Sequence, residues 1–449
     1  MSFVPVSDSS QPSPLPAKSG GISLPVTLRS LKHRNFQLFF GGQLISLIGT
    51  WMQNVAQAWL VYRLTGSSLL LGSVAFAGQI PVFLTSPLGG IVADRYSRHR
   101  VVIATQTASM ILAFTFAGLT LTNRITVVEI FVIAILRGIV NAFDVPGRQA
   151  FIVEMVGKED LMNAIALNSS MFNGARIIGP AIAGIVVAKI GEGWCFFADA
   201  VSYIAVIVGL LMMHVAPRVR RPMGSPLEHV IEGFRFVRET APIRALLLLL
   251  GLVSLVAMPY TVLMPVFADR ILHGGARGLG VLMGATGVGA LLGALTLATK
   301  TGVHGLGRWV MFSCGGFGVF LVAFALSTHF WISTTLLVPV GFCMMLQMSS
   351  SNTLIQAMVP DHLRGRVMSV YSMMFMGMGP IGALTAGAIA DRMGAPVAVI
   401  TGAFVCVGGA AIFGLRLPSI RGEARRLIIA QEMVGGEPVQ EMTAQTAED

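Results

Sequence analysis

Charge is scarce in this chain. Only 12% of its 449 residues are Asp, Glu, Lys or Arg, about half the share a soluble globular domain carries. With 54% apolar residues and a mean hydropathy of +0.75, a fold of this size leaves more apolar surface than water tolerates. Water is therefore excluded as the solvent for most of the chain. Cysteine is scarce too. Cys195, Cys314, Cys343 and Cys406 fall singly on four apolar segments, which gives neither a disulfide framework nor metal-ligand spacing. No G-x-x-x-x-G-K-[S/T] loop is present, so coupling to ATP through such a loop is excluded. No His lies deep in an apolar run and no nucleophile–base constellation occurs. An enzyme, a bound metal and a cofactor are therefore not expected.

What the chain does have is apolar runs of spanning length, about 20 residues each. About twelve are found: Leu38–Tyr62, Leu69–Ile91, Val101–Leu121, Ile125–Phe143, Asn168–Ala188, Trp194–Met213, Ala245–Val266, Gly280–Ala298, Trp309–Ser327, Phe330–Ser350, Val367–Ala390 and Pro396–Leu415. The spacing predicts an all-α integral membrane protein with twelve transmembrane helices, solvated by the lipid bilayer. The net charge of +10 does not mean nucleic acid, because it forms no single patch or stripe. With a cytoplasmic N-terminus and alternating spans, 23 of the 31 Lys and Arg fall in inside segments. That asymmetry predicts both termini in the cytoplasm of a bacterial cell, with the chain in its inner membrane.

Residues 1–35 are rich in Ser and Pro, and residues 418–449 are polar. Both read as disordered cytoplasmic tails. The first apolar run is too long for a signal-peptide core, so no cleaved leader is expected. Between the tails the chain repeats itself. Phe151–Gly191 aligns without gaps on Leu354–Gly394, so that Gly179, Ala183, Gly184 and Gly191 match Gly382, Ala386, Gly387 and Gly394. Six spans separate the copies, which predicts two six-helix pseudo-symmetric halves, 36–215 and 245–417, with a site near the midplane between them. The linker 216–244 contains SPLEHVIEGFRFVR. Ser225 and Glu228 have capping-box spacing with Pro226 between them, and Leu227, Val230, Ile231 and Phe234 recur at helical spacing. An amphipathic helix packed under the bundle is expected.

Against this background GGIVADRYSRHR, residues 89–100, concentrates charge in a short loop between the second and third spans. Asp94 is placed to reach a neighbouring helix N-terminus. Arg98 and Arg100 are placed to reach carboxylates at helix ends, with Asp144 the candidate. A basic loop alone is explained by topology; Asp94 and Gly90 are not.

Gly90-x-x-x-Asp94-Arg95-x-Ser97-Arg98-His99-Arg100 resembles the G-x-x-x-D-R-x-G-R-R/K loop signature of the major facilitator superfamily. Ser97 stands where a second Gly is usual, and His99 where a basic residue is usual. The resemblance covers about residues 30–418 and implies the major facilitator fold. It also implies a gating loop of Gly90, Asp94, Arg95, Arg98 and Arg100, with Asp94 near Val367–Ser369 and an Arg paired with Asp144. DVPGRQAFIVEMVGKEDLMNAIALNSSMFNGARIIGPAIAG and PDHLRGRVMSVYSM are similar to the branch that contains the enterobactin exporters and the transmembrane secretion effectors. A second stretch, Gly387-Ala-Ile-Ala-Asp391-Arg392-Met393-Gly394, matches the loop signature too. It follows the eleventh span, so Asp391 is read as an outer-loop residue.

Polar groups inside spans are costly and stand as functional candidates. Gln43, Ser46, Thr50, Gln53, Asn54 and Gln57 share one face of the first span. Arg137, with Asn141 one turn on, lies near the middle of the fourth. Thr50, Gln53, Asn54, Gln57, Arg137, Asn141, Tyr260 and Gln347 are the expected substrate cavity. The resemblance implies that the first, fourth, seventh and tenth spans line it. Asp199 in the sixth span is the candidate proton carrier, and Arg176 in the fifth is its candidate ion-pair partner. Gly174, Gly179, Pro180 and Gly184 resemble a G-P-x-x-G element associated with exporters; close packing by small residues is the plainer account. Met368, Met373, Met374, Met376 and Met378 crowd the eleventh span, facing either lipid or apolar ligands.

Together these features predict a monomeric secondary transporter that exports an amphipathic small-molecule substrate in exchange for protons, by alternating access. An importer of the same fold and a non-transporting receptor or scaffold are the rivals. The second of these needs no polar cavity stripe.

Overall fold

The computed structural model describes residues 26–157, 159–215, 226–300 and 302–434. A 3-10 turn, Val26–Lys32, leads into α1 (Arg34–Thr65), α2 (Ser68–Arg95), α3 (Arg98–Leu121), α4 (Val127–Val156), α5 (Leu161–Ile190) and α6 (Glu192–Leu211). Then come α7 (Pro226–Glu239), α8 (Ala241–Val256) and α9 (Tyr260–Val266), the last extended by a π-helical turn, Phe267–Ile271. The rest are α10 (Gly275–Ala298), α11 (Leu306–Leu326), α12 (Phe330–Met358), α13 (Asp361–Met393) and α14 (Ala395–Val434). No strand occurs among the described residues.

Ten of these units are long and apolar enough to cross a membrane: α2, α3, α5, α6, α8 with α9 and its π turn, and α10 to α14. α1 and α4 have 32 and 30 residues, which at 1.5 Å each exceeds a hydrocarbon core of about 30 Å. They fall outside the apolar set and carry the polar side chains described below.

Helix ends follow from local chemistry. α1 stops at Gly66, whose left-handed φ of 63° lets its N–H reach the Tyr62 carbonyl. Ser67 then caps α2 by accepting from the Leu70 N–H. Thr126 and Glu129 form a capping box that starts α4. The matched glycines of the repeat, Gly191 and Gly394, end α5 and α13 at φ 94° and 91°, a conformation other residues adopt only under strain.

The repeat also matches in how it packs. The end of the bundle that holds Arg95, Arg98 and Arg100 is called the basic end, and the opposite end the far end. α5 packs on α10 and α2 packs on α13, and these are the two seams between halves. A side chain at Gly280 of α10 would run into the Pro180 carbonyl and the Gly184 backbone. One at Gly387 of α13 would run into the Ser68 carbonyl and Gly72. Gly184 and Gly387 are thus equivalent in sequence and in role. Gly179 and Gly382, also equivalent, press on α1 and on the α8–α9 bend.

Both seams close at the far end and open at the basic end. On α2, Gly72, Phe83 and Gly90 share a face at helical spacing. Gly72 touches α13 and Phe83 touches Gly377, whereas nothing stands within 4 Å of the Cβ position at Gly90. On α5, Pro180 and Gly184 are buried, while Ala166 and Met162 on the same stripe are exposed. The eleventh-span methionines are only partly explained by lipid: Met374 and Met378 pack on Gly251 of α8.

The tails need correction. Residues 26–35 are ordered, because Asp160 gathers them. Its carboxylate pairs with Arg29 (2.9 Å), Lys32 (2.7 Å) and His33 (2.7 Å), and Asn163 accepts from the Ser30 N–H and hydroxyl. At the other end α14 runs on to Val434, where a tail was expected from 418. Leu417, Ile420, Ala424, Leu427 and Ile428 recur at helical spacing and pack on the core. Residues 1–25 and 435–449 lie outside the described residues. α7 is present, with its capping-box residue Ser225 outside the described residues. Its Gly233 rests on Arg366 of α13, Glu232 pairs with Arg366, and Val237 is buried. Ile231 and Phe234 stay exposed, so the helix packs under the bundle by one edge only. Cys314 and Cys406, distant in sequence, meet as free thiols with their sulfurs 3.5 Å apart.

Hydrogen bonds from Lys32, then His33, hold the Asp160 carboxyl down at about 2. A depressed carboxyl contributes stability above its unfolded value of about 4 and loses it as pH falls toward 2. Thermal unfolding in detergent should therefore show Asp160→Asn a few degrees below wild type at pH 7. The gap should narrow between about pH 4 and pH 2. A constant gap across that window contradicts the assignment.

Candidate functional site

The polar face of α1 meets α4 and α6 in the interior of the first half. Asp199 of α6 and Gln53 of α1 are fully buried. With the Gln53 amide nitrogen turned to the Asp199 carboxylate, its oxygen accepts from Arg137 Nη1 of α4 at 2.5 Å. Gln57 accepts from the same Nη1 (3.3 Å), and Thr50 donates to Asp199 Oδ1 (3.5 Å). Gly49 is required beside them, since a side chain there would strike the Asp199 carboxylate and the Ser202 hydroxyl. A single amide thus stands between opposite charges and hydrogen-bonds to both. Asn54 and Asn141 are exposed on the adjoining faces of α1 and α4, and Gln57 and Arg137 are half-buried. The network is closed on its Asp199 side and reaches an open polar surface on its Arg137 side.

The expected Arg176–Asp199 pair does not form. Gln53 occupies the Asp199 carboxylate, and Arg176 points away from it, into the contact between halves. Its Nη2 meets Met344 Sδ of α12 at 3.7 Å, and its guanidinium lies 5.8 Å from the Trp51 ring centre. No carboxylate pairs with it among the described residues. Tyr260 and Gln347, expected in an open cavity, are instead enclosed, at 2% and 0% exposure. α12 is packed tightly against α10, where Gly289 and Gly341 bring the two backbones together, and that closeness seals Gln347 in.

At the basic end Arg98 pairs with Glu154 (3.2 Å) and donates to the Ala150 carbonyl (2.8 Å), both on α4. Asp144 instead accepts from Thr105 and Gln106 of α3, each at 2.8 Å, and pairs with Arg148 one turn along (3.4 Å). The expected pairing of Asp144 with Arg98 or Arg100 is therefore wrong. Arg98 opens α3, too near the loop to pass Glu154, and Arg100 is exposed along with Arg95. His99 donates to the Leu210 carbonyl (2.7 Å) and packs on Phe151, which explains an imidazole in a usually basic position. The side chain of Asp94 lies outside the described residues.

The far end holds contacts the sequence did not suggest. Asp391 at the end of α13 accepts from the Ser67 hydroxyl (2.9 Å) and the Leu69 N–H (3.4 Å). It therefore bridges the two halves across the α2 N-terminus. Tyr62 donates to Asp269 (3.1 Å), and Arg270 donates to the Gly66 carbonyl (3.0 Å) while its guanidinium lies 5.5 Å from the Tyr62 ring. Tyr62, Gly66, Asp269 and Arg270 line an open pocket of about 400 Å³ with Trp59 and Arg63. The second copy of the loop signature, at residues 387–394, was the one available signal.

Two outcomes follow. Replacing Gln53 with Leu strands the buried Asp199 carboxylate and breaks its bridge to Arg137, at a cost of about 3 kcal/mol in unfolding free energy. Asn54→Leu on the exposed face costs no more than about 0.5 kcal/mol. Similar losses in detergent melts for both contradict the network. Asp391→Ala should loosen the far end, read as at least a threefold faster maleimide labelling of a cysteine introduced at Thr65. An unchanged rate removes Asp391 from the closure.

Comparison with known proteins adds the family. Residues 26–444 match the family model described as "Transmembrane secretion effector". The chain is 28% identical to the staphyloferrin A transporter of Staphylococcus aureus (strain NCTC 8325 / PS 47), over 79% of this chain and 89% of that one. It is 26% identical to the enterobactin exporter EntS of Citrobacter koseri, over 91% and 96%. It is 28% identical to the multidrug efflux pump Tap of Mycolicibacterium fortuitum, over 76% and 85%. Among solved structures, the nucleoside transporter NupG superposes with a TM-score of 0.67 at 15% identity, over 86% of this chain and 98% of that one. A bacterial homologue of the iron transporter ferroportin in an inward-facing state gives the same score and coverage. At that identity the superpositions establish the fold alone. With the family model matched over residues 26–444, the chain belongs to the transmembrane secretion effector family of major facilitator transporters.

Proposed function

We propose that this chain is a proton-coupled exporter of amphipathic small molecules, siderophores or drug-like compounds, in the bacterial inner membrane. α1 and α4 complete a set of twelve spans, divided into halves at 36–215 and 245–417. The basic end faces the cytoplasm with both termini, in keeping with the positive-inside asymmetry. The halves then part on the cytoplasmic side and meet on the outer side. That is one of the two arrangements that alternating access requires.

The observation that carries this reading is the Asp199–Gln53–Arg137 bridge. An acid at that depth is costly unless paired. Protonating Asp199 removes its charge and leaves Arg137 without its counter-charge, so proton binding alters the cavity wall at Arg137 directly. The names of the relatives, a staphyloferrin A transporter, an enterobactin exporter and a multidrug efflux pump, support the cargo class.

The test uses inside-out vesicles with an imposed proton gradient and two probes, enterobactin and staphyloferrin A. Wild type should accumulate at least one of them. Asp199→Asn should lose gradient-driven accumulation at least tenfold while keeping downhill exchange of the same probe. Movement of neither probe removes the siderophore reading. Full gradient-driven transport by Asp199→Asn removes the proton route.

A further inference from the structure

Two half-buried arginines serve this bundle, and among the described residues only one is answered by an acid. Arg137 is answered by Asp199 through Gln53. Arg176 meets a thioether and an indole face, and neither neutralises a guanidinium. A guanidinium half-buried against apolar groups loses hydration with no counter-charge to replace it, so its persistence needs a reason.

The groups around it share the same deficit. Gln347 is one turn along α12 from Met344, on the same face, and neither its Nε2 nor its Oε1 has a partner. The hydroxyl of Tyr260, on α9, is buried without a hydrogen bond of good geometry, with Thr286 and Arg176 as polar neighbours. Ser350 and Ser351, the next turn of α12, are in the same condition. Leaving a buried polar group unsatisfied typically costs about 1–3 kcal/mol. Several such groups beside an unpaired cation form a site short of one particular kind of occupant.

The chemistry names that occupant. A guanidinium fork takes two oxygens of a carboxylate side by side. The Gln347 Nε2 and the Tyr260 hydroxyl supply further donors. Trp51 and Met344 offer apolar walls, and Met adapts to varied shapes. An ammonium group would meet like charge here, and an ester would leave the guanidinium unanswered. Arg176 belongs to the first half, and Gln347 and Tyr260 to the second, so the site is assembled only when the halves meet.

We propose that Arg176, Gln347 and Tyr260 form the seat for an oxyanion, a carboxylate carried on an apolar body. This rests on the transport reading in that the carboxylate is then the head of the cargo. The division of labour is specific: Arg137 belongs to the proton and Arg176 to the anion.

The experiment uses the full-length protein in detergent micelles and three probes of one shape: 2-naphthoate, its methyl ester and 2-naphthylmethylamine. Calorimetric titration of wild type should give a Kd for the carboxylate at least tenfold below that of the ester, with the amine no tighter than the ester. Arg176→Gln should abolish that preference, and Arg176→Lys should restore part of it. Arg124→Gln, at an exposed arginine outside the site, should leave it in place. A wild type that binds all three alike overturns the proposal, and so does a preference that survives Arg176→Gln. The wild-type comparison needs no variant, so misfolding of Arg176→Gln does not remove the test. Proteoliposomes separate this proposal from the one beneath it. Carboxylate binding through Arg176 without transport would sink the transport reading and leave the anion seat. Transport that favours the ester or the amine would do the reverse.

Discussion

Everything in the first half of the bundle is arranged around one amide. Gln53 stands between a fully buried carboxylate and a guanidinium, in surroundings where either charge alone would be untenable. An amide can do this because it presents a donor and an acceptor at once. Gly49 clears space for the carboxylate, Thr50 donates to it, and Gln57 accepts a hydrogen bond from the arginine. α1 and α4, which carry this polar content, lie outside the apolar set, although both are long enough to span. The helices that hold the network are thus flanked by the apolar spans of the set.

Much of the architecture was legible in the sequence, because lipid imposes a simple rule on length and hydropathy. The repeat was legible for a different reason. Gly184 and Gly387 are kept small by equivalent backbone collisions, and Gly191 and Gly394 by equivalent left-handed helix ends. Sterics of that kind leave the same letter in both copies. The polar stripe of α1 was found from its periodicity, and the structure brings Thr50, Gln53 and Gln57 to one site with Arg137.

What was not legible was pairing. Depth along neighbouring helices made Arg176 and Asp199 look like partners, but helix rotation decides which face a side chain takes. Rotation is set by packing that a single strand of letters does not display. The Asp144 pairing was missed for the same reason: besides Arg148 on its own helix, its partners are Thr105 and Gln106, uncharged residues of α3 with no signature to mark them. The tails were misjudged because composition was weighed without periodicity in 418–434, and without the reach of Asp160 in 26–35. The latch at Asp391 depends on an apposition of α2 and α13 across more than 300 residues of chain.

The placement of the glycine seams has a mechanical corollary. On α5 the tight contact at Gly184 lies 22 residues from exposed Met162, about 33 Å of helix at 1.5 Å per residue. A fulcrum that close to one extremity gives each half a long arm. A tilt of about 15° displaces the tip of such an arm by roughly 9 Å, a little less than the full width of a helix. Modest angular play at a few side-chain-free backbone contacts is therefore enough to unseal the whole opposite mouth.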